Sequence, residues 1–204
     1  MNRTRTTYLS LALLLLLLVS DRASAQPDPK HAEPSYEAVL HLIVGSGEAL
    51  SKDPLPQNLS NVSKHIRNNF TFSNYRLANT FVGRIGNAGS FEYKSLSDIF
   101  GDNGSESQTF LEWKLGHLIA LPNEAGPRSF TAQTFRFGAR VPVKTGQTKN
   151  SEGQIVDVVN YEAVGLTMNQ TSLGENKPTL IGTLSLPKTS GTLFLVLTIK
   201  AVEN

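Results

Sequence analysis

From Asn74 onward the chain is a succession of short segments in which apolar and polar residues alternate, set apart by glycine, proline and polar turn residues. A period of two places alternate side chains on opposite faces of an extended strand, so the pattern demands sheet and leaves little room for helix. The segments are Tyr75 to Ile85, Ser90 to Leu96, Thr109 to Leu121, Ser129 to Phe137, Ile155 to Met168, Thr179 to Leu186 and Thr192 to Val202. Gly86-Asn87-Ala88-Gly89 joins the first two as a predicted hairpin, and Pro122 to Pro127 and Thr145 to Gly153 are turn and loop material. Many strands with turn-rich spacers predict a mainly β fold with one helix (α+β), an antiparallel β-sandwich or an open barrel-like sheet.

Upstream of this region two elements stand out. In "SYEAVLHLIVG", Ala38, Leu40, Leu42 and Val44 share one face and Val39, His41 and Ile43 the other, the pattern of a strand buried on much of both sides. After Pro54 and Pro56, Leu59, Val62, Ile66 and Phe70 recur at spacings of three, four and four, which is one stripe of a helix from Gln57 to Phe70. Residues 35–204 therefore read as a single β-rich domain, with 45–108 a candidate helix-plus-hairpin insertion.

The first 25 residues have a different character. Arg3 and Arg5 precede an almost purely apolar run from Leu9 to Val19, and Ala23-Ser24-Ala25 forms an A-x-A site, the three parts of a secretory signal peptide. The apolar run is short of the roughly 20 residues a spanning helix needs. Cleavage is expected before Gln26, followed by a Pro-rich polar linker to Pro34, and no later apolar segment is long enough to cross a bilayer as a helix. The expected location is periplasmic, outer-membrane-associated or extracellular.

The leader also carries the basic excess. It holds Arg3, Arg5 and Arg22 against Asp21, so the remaining chain has equal numbers of basic and acidic residues. A nucleic-acid partner, which needs a basic surface to neutralise phosphates, is not expected. Arg136, Arg140, Lys144 and Lys149 form the one notable basic run, read first as a solvated strand face and secondarily as a contact for an anionic partner. There is no cysteine, so the fold has no disulfide to rely on. Beyond the leader, five N-x-S/T sequons begin at Asn58, Asn61, Asn69, Asn103 and Asn169; in an exported eukaryotic protein several would carry sugar, and in a bacterial one, the reading favoured by the absence of cysteine, they are polar loop residues.

Catalytic patterns are missing. His31, His41, His65 and His117 are scattered, with no metal-ligand spacing. Gly45-Ser46-Gly47 lacks the first glycine of a nucleophile elbow, since Val44 occupies that position. Asp98, Asp102 and Glu106 match no defined Ca²⁺ loop. Neither a cofactor nor an enzymatic activity is expected. Trp113 lies in the alternation Leu111, Trp113, Leu115 and is expected in the core. Gly165 interrupts an otherwise continuous strand, which predicts a bulge, a bend or a close backbone approach.

Several segments together carry a resemblance. Tyr36 to Val44 resembles the V-E-A-x-I-x-E-V strand that begins the secretin domain of bacterial outer-membrane secretion and pilus channels, and Phe137 to Val143 resembles that family's S-G-x-x-x-P-V segment with Pro142 as its proline. Val159 to Met168 resembles its V-x-Y-x-x-V-G-(I/L)-x-L strand, with Tyr161, Val164, Gly165 and Leu166 in matching order. "TLIGTLSL" is similar to its glycine-bearing strand, and "LFLVLTIKAV" to its terminal strand, with Thr198 at the threonine. The resemblance implies that Gly165 marks a bend in a curved sheet. It further implies a non-enzymatic structural or interaction component of the envelope, with a protein partner or self-assembly. The alternative expectation is a free periplasmic or secreted β-sandwich that binds through two polar loops, Asp98 to Gln108 and Thr145 to Gly153.

Overall fold

Eight strands and one helix follow one another in a computed structural model that describes residues 34–47, 55–100, 108–121, 126–186 and 191–202. The leader and nearly all of the linker lie outside the described residues, as do His31, Asn103 and most of the acidic loop after Asp98. The strands are β1 (Ser35–Ser46), β2 (Asn74–Gly86), β3 (Gly89–Ser97), β4 (Thr109–Leu121), β5 (Ser129–Lys149), β6 (Ile155–Gly174), β7 (Thr179–Ser185) and β8 (Thr192–Ala201). A single 3-10 turn, Gln57–Leu59, leads into helix α1 (Ser60–Asn69). Two four-stranded antiparallel sheets result, in the orders β2-β1-β8-β7 and β3-β4-β5-β6. This is the expected sandwich with its one helix, and the described strands do not close into a barrel.

The main core lies between the sheets. Ala38, Leu40, Leu42 and Val44 of β1 and Leu193, Leu195, Leu197 and Ile199 of β8 face Trp113 and Leu115 of β4 and Phe130, Phe135 and Phe137 of β5. Burying a side chain of this size stabilises a fold by roughly 1.5–3 kcal/mol. The other face of the first sheet is covered in part by α1, where Leu59, Val62 and Ile66 pack on Ile43, Phe194 and Val196. β1 and β8 are thus buried on both faces, as the near-continuous apolar run of β1 requires. Helix α1 has no side-chain N-cap and no acidic residue in its first turn, so its stability rests on this packing.

Two expectations are corrected here. β2 and β3 do not form a hairpin: β2 pairs with β1 and β3 with β4, so the two strands are edges of different sheets. Gly86 to Gly89 is a corner between layers. Ala88 takes a left-handed conformation and donates its N–H to the Leu118 carbonyl, while Phe81 and Phe91, one on each strand, both turn into the shared core. Nor is Thr145 to Gly153 a loop, since β5 runs to Lys149 and pairs there with Ile155. The turn is confined to residues 150–154, closed by the Asn150 side-chain oxygen, which accepts the N–H groups of Glu152 and Gln154 at 3.0 and 2.8 Å. Its Gly153 has φ 78°, the one described glycine in the left-handed region.

Candidate functional site

Among the described residues the outer face of the second sheet is left uncovered. Its last pairing between β4 and β5 joins Phe110 to Arg140, so residues 141–149 of β5 and 155–162 of β6 continue as a two-stranded arm. At about 3.4 Å per residue the arm reaches on the order of 30 Å past β4. A lone two-stranded ribbon is at best marginally stable in water. This one also bears Ile155, Val156, Val158 and Tyr161 as exposed apolar side chains. Thr145 forms a bulge midway along the arm, where pairing shifts between Lys144 and Gly146. Among the described residues the β6 strand is hydrogen-bonded to β5 alone, and of its twenty residues only Leu173 is buried.

Behind the arm, the outer face of the sheet holds an open groove of about 1010 Å³. The ladder places Leu96, Phe110 and Arg140 in one row and Lys94, Glu112 and Gly138 in the next, while Gly165 lies opposite Gly138 on β6. The floor is bare backbone at this point because neither glycine carries a side chain. A Cβ on Gly165 would overlap the Phe137 carbonyl oxygen and come within 3.0 Å of the Gly138 Cα. Pairing is regular across this position, and φ is outside the left-handed region. Gly165 therefore serves a close backbone approach, and the expected bulge is not at this residue. Left-handed backbone appears instead at Gln170 on β6 and at His117 on β4. The row through those two residues drops out of the pairing between β4, β5 and β6.

The structure separates the basic run into paired and unpaired groups. Arg136 contacts Glu112 at 3.4 Å and Lys144 contacts Asp157 at 2.7 Å. The Asp157 carboxyl is held below its ordinary range, chiefly by hydrogen bonds from Lys144 and then from Gln147. In the groove, Lys94 bonds Glu92 at 2.8 Å, which lowers the Glu92 pKa and raises that of Lys94. Arg140 is exposed and has no ion pair or hydrogen bond among the described residues. Tyr161 is exposed with its ring centroid 5.8 Å from that of Phe110, and Pro142, its partner across the ladder, is buried. Trp113 is buried edge-on to Phe91 at 4.6 Å.

The histidines do not converge. His41 is buried on β1 with Nδ1 3.0 Å from the Thr80 hydroxyl, and burial, then the charge of Lys200, lowers its pKa. His65 is exposed on α1, and the backbone N–H of His117 donates to the Ser90 hydroxyl. Among the described residues no cluster of three or more His, Asp or Glu side chains could hold a metal, and no helix is long and apolar enough to cross a membrane. Ser46 is buried at the end of β1.

The long β6 edge and the arm escaped the sequence reading. The stretch T-G-Q-T-K has no core to face and so lacks the apolar alternation by which strands are recognised. The one available signal was the apolar density of Ile155 to Val159 directly after a turn.

No protein-family model matches the chain, and no curated protein matches it in sequence. Among solved structures it is similar to the InvG secretin domain β-barrel from the Salmonella SPI-1 injectisome NC-base, at 9% identity and a TM-score of 0.24. That match covers 85% of this chain and 64% of the other, so this chain spans somewhat under two thirds of its length. A likeness this weak assigns neither fold nor function.

Proposed function

We propose that this chain is a non-catalytic structural component of the bacterial envelope that assembles with further copies of itself through the edge of β6 and the arm. One observation carries the reading: among the described residues a twenty-residue strand is paired on one side only and bears exposed Ile155, Val156, Val158, Tyr161 and Met168. Free N–H and C=O groups along such an edge are a template for another strand, and soluble monomers usually shorten, charge or cover it. A neighbour's strand would satisfy the edge and widen a ribbon that is marginal alone. The secretin-like segments of the sequence and the leader motif support the envelope setting.

The test is light scattering behind size-exclusion chromatography on the chain from Gln26 onward. Wild type is expected to elute as an assembly whose mass rises with concentration to a plateau. The double variant Val156→Lys, Val158→Lys is expected to be monomeric with an unchanged melting midpoint. A wild type that remains monomeric at high concentration, or an assembly indifferent to both lysines, overturns the proposal.

A further inference from the structure

The groove on the outer face of the second sheet has a chemistry of its own, distinct from that of the β6 edge, and shares Tyr161 with the arm. We propose that it binds a small organic anion that carries an aromatic or similarly bulky apolar group. Charge comes first. Among the described residues, Lys94, Lys114, Arg136 and Arg140 face outward from this surface against Glu92 and Glu112. The excess favours an anion. Lys94 and Arg136 are engaged with the two carboxylates, which leaves Lys114 and Arg140, and of these two Arg140 lines the groove. Its planar guanidinium suits a carboxylate, sulfonate or phosphate group.

Apolar surface supplies the second half of the site. Leu96, Phe110 and Tyr161 are 50%, 47% and 48% exposed around Arg140, and the two rings lie together. Such a cluster on an otherwise charged sheet face marks a contact surface. The Gly138–Gly165 pair gives depth beside it, because any side chain at either position would fill the groove floor. A bare inorganic anion leaves the rings in water, and a neutral aromatic leaves Arg140 unused. Only a ligand with both features uses the whole surface.

The probe is 8-anilinonaphthalene-1-sulfonate, followed by fluorescence, with N-phenyl-1-naphthylamine as its uncharged counterpart. Saturable binding of the sulfonate is expected, with affinity weakened about tenfold or more in Arg140→Gln, as loss of a charged hydrogen bond implies. Phe110→Ala is expected to weaken it as well, Arg128→Gln to leave it unchanged, and the uncharged probe to bind about tenfold less tightly. The titration is repeated in Val156→Lys, Val158→Lys, where undiminished binding places the probe in the groove and not on the arm. Circular dichroism of each variant checks that it is folded. Equal affinity in Arg140→Gln, equal affinity for the uncharged probe, no binding, or loss of binding in the arm variant each overturns the proposal. The last of these leaves the assembly reading standing, so the two proposals fail separately.

Discussion

β1 and β6 are both long antiparallel strands, yet they lead opposite lives. β1 is hydrogen-bonded on both edges and covered on both faces, and ten of its twelve residues are buried. β6 has one partner, and nineteen of its twenty residues are exposed or half-buried. The difference separates two uses of one secondary structure. The first strand's apolar residues hold this chain together, whereas the second's contribute little to the fold that carries them. Substitutions should therefore sort by strand.

The largest effect is expected in the doubly covered pair. Phe194 on β8 is fully buried beneath α1 with Phe70, Phe72 and Tyr75 around its ring. Phe194→Ala should cost about 3–5 kcal/mol in denaturant unfolding. Val158→Ala on the arm should stay within about 0.5 kcal/mol for the monomer. Similar losses at both sites would erase the distinction between the strands.

Next are the glycines. Gly165→Val forces a side chain against the Phe137 carbonyl, and strain of this kind costs about 1–3 kcal/mol. Gly146 on the arm has nothing within 4 Å of the position of a Cβ, so Gly146→Val should be neutral or slightly stabilising. A melting midpoint that Gly165→Val leaves unchanged would show that the β5–β6 pair is looser than drawn here.

A third contrast is in pH. His41 has its folded-state pKa lowered, by burial first and Lys200 second, from an ordinary value of 6.5. The unfolded chain therefore binds the proton more readily. The neutral histidine's contribution is complete above about pH 6.5 and declines as the pH falls from there through the folded-state value. His41→Gln should flatten that part of the stability–pH curve. Curves for the wild type and the variant decide the matter.

The smallest effect concerns Gln170, a non-glycine residue at φ 55° on β6. Gln170→Gly should gain about 0.5 kcal/mol, since relief of left-handed backbone slightly exceeds the entropy that glycine costs. A loss of stability would mean that the glutamine side chain is needed at the kink.

Most strands were legible because they face a core, and burial imposes the alternation that a reader recognises. Both faces of β1 and the stripe Leu59, Val62, Ile66 were assigned residue by residue for this reason. The exceptions are cases in which the deciding partner is distant in sequence. Whether Gly86 to Gly89 closes a hairpin or turns a corner depends on β1 and β4 outcompeting β2 and β3 for each other's edges. The role of Gly165 depends on Gly138 opposite it, and that pairing is invisible until the register is known. In the basic run, Arg136 and Lys144 found carboxylates while Arg140 did not, which is a matter of neighbours and not of composition.

The adjacency of β1 and β8 has a consequence for time as well as for space. These strands lie near opposite ends of the described chain, and the Val202 N–H donates to the Ser35 carbonyl. The first sheet cannot be completed until the last strand has been made, whereas the β3-β4-β5-β6 meander uses only contiguous chain. Loop-closure entropy makes such distant pairings late and slow. A growing chain thus passes through a stage in which the unpaired edge of β6 already exists and the sheet that anchors it does not, and an exposed edge of this kind is where aggregation competes with folding.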